Sequence, residues 1–152
     1  MIDLLKHKKP VILTGEYGTG KSKFLEWIFG KLVETAWSEL NFPLSIDLRS
    51  CWGLRDRYEI IRRHLLDLGL DECVEPMNKA YNEGLLTLLI DGFDEMGIRV
   101  WTDNFEDLKR LRADALSGVR DLISRNRGGL IITGRDHYFD DEEEMISARS
   151  SS

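Results

Sequence analysis

The sequence predicts an α/β fold of three layers, a parallel sheet with helices on both faces, and three observations carry that prediction. Short apolar or β-branched runs alternate with longer stretches whose apolar residues recur every three or four positions, so the chain runs strand, helix, strand, helix. A glycine-rich stretch, Gly15-Glu-Tyr-Gly-Thr-Gly-Lys-Ser22, joins the first such strand to the first helix. The run Leu85-Leu-Thr-Leu-Leu-Ile90 is apolar but for its Thr, the pattern of a parallel strand covered on both faces, and Asp91 follows it. A chain of 152 residues suits one hydrophobic core and is short for two domains. With 32% charged, 42% hydrophobic and 9% aromatic residues, it has the composition of a globular domain.

Residues 2–9 suggest a short, basic-ended helix or arm, and Pro10 to Thr14 a buried strand. From Lys21 to about Leu40, the apolar positions Phe24, Leu25, Ile28, Phe29, Leu32, Val33, Ala36, Trp37 and Leu40 fall at helical spacing. This stripe, aromatic members included, is expected to face the core. Asn41-Phe42-Pro43 should break the helix, and Leu44 to Leu48 alternates as a second strand with Leu44, Ile46 and Leu48 on one face. Arg49 to Arg55 is expected to be a loop. A helix over about Asp56 to Leu68 follows, with Ile60, Ile61, Leu65 and Leu68 inward and Gly69 as its stop. A weaker helix is expected over Pro76 to Glu83, ended by Gly84. After the third strand, Asp103-Asn104 would cap a long helix bearing Phe105, Leu108, Leu111, Ala115, Leu116, Val119, Leu122 and Ile123, with Gly118 a possible division. Gly128-Gly129 closes it and Leu130 to Thr133 forms the fourth strand. The expected domain spans residues 1–146, with 147–152 a frayed Ser-rich tail.

The chemistry concentrates at two places. Gly15 to Ser22 fits the phosphate-binding pattern G-x-x-x-x-G-K-[ST] without a mismatch. There, backbone N–H groups and the positive end of a helix make an anion site that glycines let a phosphate approach closely. The expected nucleotide-binding residues are Gly15, Glu16, Tyr17, Gly18, Thr19, Gly20, Lys21, Ser22 and Lys23. Lys21 would reach the β and γ phosphates, and Ser22 with Asp91 would hold Mg²⁺. The second place is Asp91-Gly-Phe-Asp94-Glu95 at the carboxyl end of the third strand, where an open α/β sheet presents its ligand site. Asp94 or Glu95 would orient and deprotonate a water attacking the γ-phosphate. Thr133 and Arg135, at the tip of the fourth strand, lie where a polar group could feel that phosphate. Plainer readings compete: Asp91 or Asp94 as a helix cap, and Arg135 paired with a neighbouring acid. ATP (or ADP) is expected over GTP, because Asn78-Lys79-Ala80-Tyr81 lacks the Asp of a guanine-reading [NT]-K-x-D segment.

Other classes are disfavoured. A net charge of -6 argues against broad nucleic-acid binding. No apolar run has the length of a membrane span and the N-terminus does not resemble a signal peptide, so a cytoplasmic location is expected. Cys51 and Cys73 lack metal or redox spacing and should be reduced, part-buried thiols. His64 is expected at the surface, and Arg57, Arg62 and Arg63 on a solvated helix face.

Taken together, the phosphate loop, the box Leu89-Ile-Asp-Gly-Phe-Asp-Glu95 and the strand Ile132-Thr-Gly-Arg135 resemble the nucleotide-binding core of the NACHT group of STAND NTPases, signalling ATPases of innate immunity and antiviral defence. The resemblance covers about residues 10–139. It implies a three-layer P-loop NTPase fold with sheet order first, fourth, third, second. It also implies catalytic roles for Lys21, Asp94, Glu95 and Arg135, ATP with Mg²⁺ as cofactors, and self-association or other domains of a larger chain as partners. The family's fifth strand, helical lid and winged helix are not expected within these 152 residues. Two further readings stand beside a slow ATPase: a nucleotide-gated self-association module with little hydrolysis, and a DNA-associated ATPase of the AAA+ kind. The last usually has Glu directly after the strand's Asp, where this chain has Gly92.

Overall fold

The computed structural model describes residues 5, 8–16, 18–92, 114 and 116–134. The expected features at residues 2–4, Tyr17, Asp94, Glu95, Trp101, the Asp103-Asn104 cap with the first part of its helix, Arg135 and the acidic tail lie outside them.

The described elements are β1 (Pro10–Thr14), α1 (Lys21–Glu39), β2 (Phe42–Asp47), a 3₁₀ turn (Leu48–Ser50), α2 (Arg57–Asp67), a second 3₁₀ turn (Asp71–Cys73), α3 (Val74–Asn82), β3 (Leu86–Asp91), α4 (Ser117–Ser124) and β4 (Leu130–Gly134). The strands form a parallel sheet in the order β1-β4-β3-β2, which is the order the resemblance implies. Side chains alternate across it. Leu89 and Ile131 pack with Leu25, Ile28 and Leu32 of α1 on one face. Leu88, Ile90, Leu130 and Ile132 pack on the other against Ile60, Ile61 and Leu65 of α2, Tyr81 of α3, and Val119, Leu122 and Ile123 of α4. Burial on both sides explains why β3 reads as an apolar run interrupted only by Thr87, with Leu86 to Ile90 all buried.

Several expectations need correction. β2 begins at Phe42, so Pro43 lies inside the strand. It is tolerated because β2 is an edge: Phe42 N–H donates to Leu85 O at 2.8 Å, which turns the next residue's nitrogen outward, away from β3. The α1 stripe is too broad for its contact. Leu25, Ile28, Leu32 and Ala36 are buried, but Phe29, Val33 and Leu40 are exposed and Trp37 is 81% exposed, edge-on to Phe42 with ring centroids 5.1 Å apart. The sheet accepts only a narrow arc of the helix. Leu68 is likewise exposed, because α2 stops at Asp67 and the chain turns at Gly69, whose N–H bonds Leu66 O while Leu70 N–H bonds Leu65 O. His64 is half-buried instead of exposed, and burial lowers its pKa although Asp67 pulls the other way.

Gly118 lies near the start of α4, where it meets the loop before α2: its N–H donates to Leu54 O at 3.1 Å. The Gly128-Gly129 pair serves close packing. A Cβ added at Gly128 would fall 1.7 Å from Leu86 O, so only glycine lets the turn before β4 pass the start of β3. Buried Asn126 holds that turn, accepting from Gly128 N–H at 3.0 Å and donating to Gly129 O at 2.9 Å. Both cysteines are free, Cys51 buried and Cys73 part-buried.

Candidate functional site

The carboxyl ends of β1, β3 and β4 meet the first turn of α1, and four predicted residues converge there. β1 leads into the glycine-rich loop, which is tied to the sheet by Gly15 N–H donating to Gly134 O at 3.3 Å. Gly18 and Gly20 have φ of 79° and 85°, a region that side chains rarely adopt, and a Cβ at either would meet nothing within 4 Å. Gly20 caps α1 with no side-chain hydrogen bond, and Phe24 N–H donates the first helical bond back to Gly20 O at 2.9 Å. The N–H groups of the first turn are therefore left for another acceptor. Thr19 closes the loop internally, its hydroxyl donating to Glu16 O at 2.7 Å.

Lys21 curls back over the loop. Its ammonium donates to Gly15 O and, at 3.0 Å, to Glu16 O. Those two carbonyls hold Nζ against the start of the loop. Lys23 follows on the exposed side of the same turn.

Asp91, the last residue of β3, is the hub. Ser22 Oγ donates to its Oδ2 at 2.6 Å across 69 residues of sequence. The Thr133 hydroxyl and the Gly92 N–H (3.0 Å) donate to Oδ1. The sheet order creates this cluster: β4 inserted between β1 and β3 brings Thr133 beside Asp91 and sets both beneath the loop. Thr133 is fully buried, so its hydroxyl has no solvent to turn to.

Two residues at this rim escaped the sequence reading. Asp47, register partner of Asp91, ends β2, and its carboxylate accepts from Arg49 Nε (2.9 Å), Arg49 Nη2 (2.6 Å) and Arg49 N–H (2.9 Å). Burial raises the Asp47 carboxyl, but the Arg49 hydrogen bonds and charge outweigh it and hold it below the usual carboxylate range. The signal was available: Asp47 closes an apolar strand just as Asp91 does.

The donor chemistry fits a hard divalent cation. Ser22 and Asp91 supply oxygen ligands only, at adjacent positions, and leave most of an octahedral shell to phosphate oxygens and water, the usual arrangement for Mg²⁺. A separate cavity of about 480 Å³ lies at the other end of the strands, lined by Leu5, Lys8, Glu39, Leu40, Asn41, Gly84, Leu85 and Gly129. It shares no residue with the cluster. Among the described residues, no helix is long and apolar enough to cross a membrane. The chain matches no protein-family model, no curated protein and no solved structure.

Proposed function

We propose that the chain binds ATP with Mg²⁺ in the Gly15–Ser22 loop and hydrolyses it slowly, as the nucleotide-binding core of a STAND NTPase of the NACHT type. The observation that carries this reading is the Ser22–Asp91 contact at 2.6 Å. Two sequence motifs chosen for their fit to one metal-nucleotide site lie side by side at the carboxyl edge of the sheet. A single motif match can be accidental; the meeting of two is a stronger support.

In this reading the loop N–H groups and Lys21 bind the phosphates, Lys21 screening the charge that builds as the terminal phosphoryl group leaves. Ser22 and Asp91 hold Mg²⁺, which when bound would neutralise phosphate charge. Thr133 keeps the Asp91 carboxylate oriented. Asp94 or Glu95 takes the proton of the attacking water, and Arg135 offers charge to the terminal phosphate.

A second reading, a nucleotide-gated module that assembles with copies of itself and hardly hydrolyses, is favoured by the exposed apolar flank of α1 around Trp37. Phosphate release by wild type and by Glu95→Gln separates the two: binding without turnover in the wild type supports the second.

The test of the site itself is thermal. ATP at about 100 times its Kd should stabilise the protein by roughly 2.7 kcal/mol, and Lys21→Ala should abolish the shift. Because the Lys21 ammonium bonds only the loop's own carbonyls among the described residues, its removal should barely change the melting of the ligand-free protein. An equal ATP response in wild type and variant would put the nucleotide elsewhere.

A further inference from the structure

Asp47 and Asp91 end β2 and β3, and Thr133 is the last residue but one of neighbouring β4, all three on one face of the sheet. Asp47 and Asp91 are register partners, and Thr133 lies one step beyond the pair Ile90↔Ile132. Adjacent strands are about 4.8 Å apart, so the two aspartates occupy neighbouring positions at the carboxyl edge of the sheet, with Asp91 the one that meets the phosphate loop. They are treated differently. Asp91 takes neutral donors, the hydroxyls of Ser22 and Thr133 and the Gly92 N–H. Asp47 takes a guanidinium, gripped through Nε and Nη2 and fixed further by the Arg49 N–H. Gly92 threads between them: a Cβ added there would lie 3.4 Å from Asp47 Oδ1 and 3.7 Å from Arg49 Cγ. Arg49 thus lies beside the backbone that directly follows Asp91, with room for a methyl group between them.

From this juxtaposition we infer that the Asp47–Arg49 clasp sets the divalent-cation affinity of the Ser22–Asp91 site. Asp47 holds the guanidinium away from Asp91, which would otherwise attract it and exclude a metal ion. Arg49 in turn cancels the Asp47 charge, so that the cation meets one uncompensated carboxylate instead of two. Both are positioning residues, acting on the metal through Asp91. The inference rests on the nucleotide reading above.

Opposed roles give opposed signs, which a merely structural role would not. The experiment is a Mg²⁺ titration of the full chain at fixed, saturating ATP, read as the half-saturating Mg²⁺ concentration for thermal stabilisation, with ATP in EDTA as the metal-free reference. Asp47→Asn keeps the oxygen that accepts the Arg49 N–H but loosens the guanidinium, and should raise the half-saturating Mg²⁺ about fivefold, the scale of a part-exposed ion pair. Arg49→Gln leaves a second bare carboxylate and should lower it. The double variant should return to within about twofold of wild type, with each change confined to the Mg²⁺-dependent response. Unliganded melts report folding, and if Asp47→Asn folds poorly, Arg49→Gln alone still decides the sign. Shifts in the same direction for both single variants, or no shift in either, would overturn the clasp while leaving the ATP site standing. A wild type that ATP does not stabilise at any Mg²⁺ concentration would remove the nucleotide reading and this inference with it.

Discussion

Replacing Thr133 by Val isolates one hydrogen bond. Val has nearly the shape of Thr, and Thr133 is fully buried at the end of β4, so packing is conserved and only the hydroxyl is lost. That hydroxyl donates to Asp91 Oδ1, and a hydrogen bond to a charged group contributes roughly 1.5–3 kcal/mol. Asp91 keeps the Gly92 N–H at 3.0 Å and Ser22 Oγ at 2.6 Å, and it is only part-buried, which puts the expected loss near the bottom of that range. About 1.5 kcal/mol in a protein of this size corresponds to a melting temperature lower by about 3–6 °C. Ser22 donates to the same carboxylate at 2.6 Å but is exposed, so water can replace it in Ser22→Ala and the cost should be below about 1 kcal/mol. The assay is thermal denaturation of ligand-free wild type and both variants, followed by circular dichroism. If Thr133→Val melts with wild type, or Ser22→Ala is the more damaging change, then burial does not rank these contacts and Asp91 is not held as described.

Arg57 carries a part-buried ion pair with Asp121: its N–H and Nη1 reach Asp121 Oδ2 at 3.1 and 3.2 Å, and its guanidinium lies 4.2 Å from the Tyr58 ring centroid. Burial raises the Asp121 carboxyl, but the Arg57 hydrogen bonds and the Arg57 and Arg125 charges outweigh it and keep the pKa low. A carboxyl lowered in the folded state contributes stability above its unfolded pKa and loses that contribution as pH falls through the folded value. Asp121→Asn should therefore cost about 2 kcal/mol at neutral pH in urea denaturation, with the gap to wild type closing below about pH 4; a gap independent of pH would refute the pair's role. The cysteines should separate chemically. Burial pushes the Cys51 thiol up to about 11, so iodoacetamide at pH 8 should label part-buried Cys73 first and Cys51 only on unfolding, as read by peptide mass spectrometry. Equal labelling rates would contradict the burial of Cys51.

The elements of this fold were largely legible in the chain because each depends on local pattern. Leu85 to Ile90 announced a doubly covered strand, Gly69 and Gly84 marked helix ends, and the phosphate-loop pattern marked a glycine-rich turn from β1 into a helix starting at Lys21. What local pattern could not supply was how far an apolar stripe exceeds the surface waiting for it. Phe29, Val33 and Trp37 sit at helical spacing with Leu25, Ile28 and Leu32, yet only the latter three are buried, since sheet width and helix placement set the contact arc. The same holds for the candidate site. Ser22, Asp91 and Thr133 could each be nominated from sequence, but their meeting at one carboxylate needed the crossover that puts β4 between β1 and β3. The Asp47–Arg49 clasp acquires its meaning only beside Asp91, through a strand pairing between segments far apart in the chain. Sequence determined which groups this protein can offer and on what kind of element; tertiary structure decided which of them share a charge, because electrostatic and hydrogen-bond energies depend on distances that only the packed sheet establishes.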